Sequence, residues 1–289
     1  MGKPDSELES DELMFSQQLN IIINGVICTN TIKPVEKAPY QTPTALVMDR
    51  YDPVESHPRS SKSFIYLVII SQIFGLLAVI LTAVWLGKYW GGFSWTNANT
   101  VFNYHPLFMV LGLVFLYGDA ILVYRVFRSF RKLPIKILHA VLHILAFLFG
   151  VLGTKAVFDM HNALLIPNLY SLHSWLGITA IIVFGLQWVA GLIGFLVPQT
   201  PQVARSKLLP IHVTLGSFLY LLVIGVCISG ITEKNFFSKT YPVLKAGELI
   251  GNLLGVVLVI FCGLIFYLTQ NPNYRRTETI SPEHRALQE

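Results

Sequence analysis

The 289-residue chain is predicted to be an all-α integral membrane protein with six transmembrane helices. Three observations predict this class. The composition is 53% apolar and only 13% charged, where soluble domains carry about 25% charged residues. Six stretches stay apolar over the roughly 20 residues that a helix needs to cross about 30 Å of hydrocarbon. The basic residues gather at alternate span ends, as membrane topology demands.

Residues 1–62 are polar, acidic at first (Asp5, Glu7, Glu9, Asp11, Glu12) and rich in Pro, Ser and Thr. Such a segment buries too little apolar surface to offset its ordering entropy, so it is expected to be a disordered tail. It shows no basic region followed by an apolar run, so no cleavable signal peptide is expected. Met1-Gly2 followed by Ser6 meets the loose N-myristoylation pattern, which arises often by chance. The six-span core is expected over 63–270, with spans at about 64–86, 105–124, 137–158, 172–196, 210–230 and 249–269. Tyr89, Trp90, Phe93 and Trp95 read as an interfacial aromatic belt after the first span. Residues 271–289 are expected to be a flexible polar tail.

Charge sets the expected orientation. Arg59 and Lys62 precede the first span. Arg125, Arg128, Arg131, Lys132 and Lys136 join the second and third, Arg205 and Lys207 the fourth and fifth, and Arg275 and Arg276 follow the sixth. That makes eleven basic residues on one side. The other has five: Lys88, Lys155, Lys234, Lys239 and Lys245. The positive-inside rule places both termini in the cytosol. The formal net charge of +5 is thus spent on topology and membrane lipid, and does not point to nucleic acid.

Four histidines organise the core. His105, His139, His173 and His212 are 34, 34 and 39 residues apart, each at or near the start of a span. Antiparallel neighbours begin on opposite membrane faces. His105 and His173 therefore share one depth, and His139 and His212 another, nearer the cytosol. Ionisable groups inside a membrane are costly and mark function. Zinc draws its ligands together, often two from one helical turn, whereas these four come one per helix and split by depth. Two bis-histidine haems b, held in a four-helix bundle of spans 2–5, fit better than zinc or a proton relay. Without a C-x-x-C-H motif, such haems would be held non-covalently. One haem cannot serve both faces of a layer about 30 Å thick.

His143, one turn after His139 on the same face, is the alternative ligand. His139 matches His212 better in depth. His161 reads as a loop residue just past the third span, Asp119 as a partner for Arg125, and Lys155 as a snorkelling group. Cys227 and Cys262 read as packing residues. Gly191 is among several span glycines that could permit close helix approach or leave room for flat macrocycles.

Lys132 and Lys136 precede His139, and Arg205 precedes His212. These basic groups converge on one face, where they could orient a small anionic reductant such as ascorbate. Arg125 borders the same face.

Residues about 64–270 resemble the animal cytochrome b561 family of ascorbate-dependent transmembrane oxidoreductases. The resemblance is carried by Phe102-Asn103-Tyr104-His105-Pro106, Val123-Tyr124-Arg125-Val126-Phe127-Arg128, Ser171-Leu172-His173-Ser174-Trp175, Pro210-Ile211-His212-Val213 and Thr232-Glu233-Lys234. The Tyr-Arg-Val-Phe-Arg form is closer to the chromaffin-granule type than to the duodenal ferric-reductase type. Met160 stands before His161 where the duodenal type has an Asn.

The resemblance implies that His105 and His173 hold one haem and His139 and His212 the other. It implies that Lys132, Lys136 and Arg205 hold cytosolic ascorbate, and that His161, Phe158 and Tyr170 line the outer acceptor site. It also implies a homodimer. The expected function is electron transfer from ascorbate to monodehydroascorbate or ferric chelates across a secretory-vesicle, endolysosomal or plasma membrane. A dedicated ferric reductase for iron uptake is the near alternative. A haem-free transporter with a histidine proton relay, and a haem subunit of a quinone-linked complex, are the rivals.

Overall fold

The computed structural model describes residues 62–276. The expected disordered tail, its myristoylation pattern and most of the C-terminal tail lie outside these residues. Among them there is no strand. Six helices are long and apolar enough to cross a membrane: α1 Lys62–Tyr89, α2 Ala98–Val126, α3 Lys132–Ala163, α4 Leu172–Leu196, α5 Gln202–Phe237 and α6 Ala246–Gln270.

Local chemistry sets where they begin and bend. The Asn97 side chain accepts from the Asn99 amide to cap α2. Ser171 and Ser174 form a reciprocal capping box at the start of α4. Within α2 the turns widen to the π form over Met109–Leu116. Pro210 lies inside α5, where it removes one backbone hydrogen bond.

The helices α2, α3, α4 and α5 form a closed ring, each touching the next and α5 returning to α2. α1 packs along α6, and both lie outside the ring against α2, with α6 also against α5. Trp85, Tyr117, Tyr220, Phe261, Leu254 and Leu258 are fully buried. Ile65, Ile73 and Ile80 face outward along α1, as suits hydrocarbon. Gly112 permits the α2–α3 approach: a Cβ there would lie 2.6 Å from Phe149 Cβ and 2.8 Å from the Ala146 carbonyl. The Tyr117 hydroxyl donates to the Gly216 carbonyl at 2.7 Å, tying α2 to α5.

Several expectations need correction. The helices α3 and α5 extend well beyond their apolar windows. Lys132, Lys136, Arg205 and Lys207 therefore stand on their first two turns rather than in loops, and His161 lies in the last turn of α3. Asp119 does not meet Arg125. It accepts from Gln72 Nε2 on α1 at 2.8 Å, while Arg125 donates to the Thr269 carbonyl at the end of α6. Lys155 is exposed, as a snorkelling group would be, and also pairs with Asp159 one turn along α3.

Candidate functional site

The ring brings the four histidines together as two facing pairs. The His105 and His173 imidazole centroids are 6.1 Å apart, from α2 and α4. Those of His139 and His212 are 6.2 Å apart, from α3 and α5. The capping serines of α4 place His173 in its first turn, and Trp175 Nε1 anchors that turn by donating to the Leu169 carbonyl at 2.6 Å.

Each ring is oriented by the backbone of a neighbouring helix or by packing. Nδ1 of His105 lies 3.1 Å from the Gly153 carbonyl, that of His139 2.7 Å from the Ala120 carbonyl, and that of His173 3.0 Å from the Val226 carbonyl. With the proton on Nδ1 these are donated hydrogen bonds, and they leave Nε2 bare to bind a metal. His212 lacks such a bond: its Nδ1 is buried without a partner. Packing orients it instead, with Phe195 5.2 Å away between centroids and Gly191 beneath. A Cβ at Gly191 would lie 2.9 Å from His212 Cε1, and one at Gly230 2.6 Å from His173 Cε1.

These pairs fit bis-imidazole ligation of haem iron. A metal–imidazole bond is about 2 Å and the ring centroid sits about 1 Å behind its nitrogen, so two rings on opposite sides of one iron have centroids about 6 Å apart. Both pairs meet that spacing. A structural zinc would need four ligands. Among the described residues no group of three or more His, Cys, Asp or Glu side chains could hold a metal ion. A haem needs only axial ligands from the protein. His143 is buried and edge-on to both His139 (4.3 Å) and Tyr117 (4.9 Å). It packs behind the pair, and His139 is the ring opposite His212.

The end of the ring that carries His139 and His212 is basic. Lys136 donates to the Phe195 carbonyl at 3.3 Å and lies within electrostatic reach of Arg205 and Lys132. Arg205 donates to the Val197 carbonyl at 2.9 Å, while its buried Nε has no partner. The Tyr124 ring stands 5.2 Å from His139. Arg125 is drawn away from this group towards the end of α6, where it donates to the Thr269 carbonyl.

At the opposite end a cavity of about 350 Å³ holds the other pair. His105, His173, Phe158, His161 and Tyr170 all line it. The His161 and Tyr170 rings stack at 5.9 Å. Burial and the Glu233 carboxylate push the Tyr170 phenol above its ordinary value, so it remains a hydroxyl donor. Lys234 and Phe102 also line this cavity. Both lie within family motifs, and in the sequence Lys234 is legible only as a charge of the non-cytosolic side. Their place depends on loop contacts that no spacing reveals.

A closed ring of four apolar helices with facing imidazoles at two levels defines the class of helical membrane cytochromes. The sequence pattern of the eukaryotic cytochrome b561 family matches residues 104–238, which run through the four ring helices. The chain is 42% identical over 224 residues to a transmembrane ascorbate-dependent reductase of Sus scrofa, covering 77% of this chain and 88% of that protein. It is 44% identical over 212 residues to a lysosomal membrane ascorbate-dependent ferrireductase of Bos taurus, covering 71% and 80%. A Danio rerio ferrireductase of the same description is 40% identical over 230 residues. The chain belongs to the cytochrome b561 family. It is a multi-pass membrane protein, and membership implies b-type haem.

Proposed function

We propose that this oxidoreductase carries electrons across its membrane from ascorbate to monodehydroascorbate or ferric chelates, with one haem b between His139 and His212 and a second between His105 and His173. The observation that carries the reading is the pair of imidazole spacings, 6.1 and 6.2 Å, in one helical ring. Bound there, the haems supply one-electron redox chemistry that no side chain of this chain provides.

The protein's own groups bind and orient the partners. Lys132, Lys136 and Arg205 hold the ascorbate anion beside His139 and His212, with the unpartnered Arg205 Nε–H as a ready donor. Arg125 adds positive potential from the α6 side. Eleven basic residues against five support a cytosolic location for this face and for both termini. His161, Phe158 and Tyr170 receive the acceptor at the other face, in contact with the cavity of the second pair. Both sets of named relatives are described as ascorbate-dependent, and one set as ferrireductases, which supports both acceptor classes. The working unit is a homodimer, in a secretory-vesicle, endolysosomal or plasma membrane.

The test uses purified protein in ascorbate-loaded vesicles, with ferricyanide, ferric citrate or monodehydroascorbate outside. Acceptor reduction that needs internal ascorbate is expected, together with visible b-type bands that sharpen on reduction. Lys136→Ala and Arg205→Ala should each raise the ascorbate KM about tenfold or more, the loss of one charge-assisted hydrogen bond. Their haem content should be unchanged. Variants as fast as the parent at low ascorbate would remove the donor site. A colourless protein would return the reading to a proton-relay transporter.

A further inference from the structure

One cation in the second cavity belongs to neither the histidine pair nor the His161, Phe158 and Tyr170 group. Lys234, near the end of α5, lines the same cavity as His105 and His173. Its ammonium sits 4.0 Å from the Trp90 ring centroid and 4.3 Å from that of Phe102. Among the described residues no carboxylate pairs with it. The neighbouring Glu233 instead acts on Tyr170.

This cage is built from three elements. Asn103 Nδ2 donates to the carbonyls of Trp90 at 2.8 Å and Gly92 at 2.7 Å. Gly91 and Gly92 take φ of 85° and 82°, the left-handed turn that glycine tolerates, and so let the chain turn after Trp90, whose ring lies against Lys234. Trp85 meets Trp90 edge-on at 6.4 Å. Phe102 links the cage to the histidine pair, 5.7 Å from the His105 ring. Lys234 is itself within electrostatic reach of His105. Aromatic faces attract an ammonium but do not neutralise it. The Glu233 carboxylate lines the same cavity but makes no ion pair with Lys234; a half-buried cation left without a paired carboxylate is costly, and such groups mark ligand paths in membranes.

The geometry points to Lys234 as the anion-holding group of this cavity, receiving a carboxylate or enediolate oxygen while Trp90 and Phe102 hold its ammonium in place. The inference rests on the reading that a haem lies between His105 and His173. The same chemistry has two sources, a haem propionate or the incoming acceptor.

Holoprotein in vesicles separates them. The parent is compared with Lys234→Gln, with Lys234→Met, which keeps the aliphatic stem between the rings, and with Lys234→Arg. The midpoint potential of the His105/His173 haem is titrated without acceptor. The KM is measured for ferric citrate, an anion, and for hexaammineruthenium(III), a cation. Both neutral variants should lower the midpoint potential, because a nearby positive charge favours the electron-richer state. The Arg variant should stay close to the parent. A lowered potential with an unchanged KM ratio identifies a propionate. A rise of about tenfold or more in the ferric citrate KM, with the ruthenium KM held, identifies the acceptor. Neutral variants that alter neither the potential nor the KM ratio would overturn the inference. Absence of any signal from this haem in the parent would instead overturn the underlying reading.

Discussion

Each imidazole of the α4–α5 face rests on a glycine of the opposing helix. Gly230 faces His173 and Gly191 faces His212, so close that any Cβ would overlap the ring. Gly230→Leu should therefore displace His173 and abolish the His105/His173 haem while sparing the other. The haem-to-protein ratio would fall to about half, and the remaining haem would still be reduced by ascorbate, its ligands being independent. Full haem content in that variant would refute the role given to Gly230. The histidines were legible in the sequence because imidazoles are rare in apolar spans and these recur at span spacing. Gly191 was legible only as one of many small residues. Gly230 was not singled out, because nothing in a sequence links position 230 to a ring 57 residues earlier. Asp119 shows the same limit. A carboxylate less than two turns from an arginine on one helix suggests a pair, but helix packing presents Gln72 to it first.

At the scale of the element, hydropathy locates spans better than it locates helices. The helices α3 and α5 outrun their apolar windows because polar and basic turns continue the same backbone hydrogen bonding outside the hydrocarbon. The consequence is functional. Lys132, Lys136 and Arg205 stand on helix ends near the His139/His212 pair rather than in loops, which would lower the ordering cost of the proposed ascorbate binding. The start of α4 depends on a different device, the Ser171–Ser174 capping box. Ser171→Ala should cost about 1 kcal/mol and lower the thermal midpoint by a few degrees. The loosened first turn carries His173, so haem release on heating should begin at the His105/His173 site. This is checked by following the two haem signals separately through a melt. Simultaneous loss of both at the parent's midpoint would show that the cap does not support the site.

For the molecule as a whole, the closed ring of α2–α5 is what separates donor and acceptor. Each pair uses alternate helices, so the two sites occupy opposite ends of one bundle and neither borrows a ligand from the other. His105→Ala should leave ascorbate able to reduce the His139/His212 haem in detergent. It should nonetheless stop the reduction of external acceptor by ascorbate-loaded vesicles, because the span is about 30 Å. Transfer across the vesicle at the parent's rate would mean that the second pair is not on the path.

The six spans, the two levels of histidine, the basic face and the family were all set by the order of residues along the chain. Each follows from local rules: apolar length sets a crossing, crossings alternate in direction, and charge distributes between faces. Helix packing alone decided the rest. It made the imidazole pairs face each other across about 6 Å, put glycines under two rings, drew Arg125 off to α6 and folded Trp90 over Lys234. These features depend on distances between residues far apart in sequence, which only the closed ring brings together.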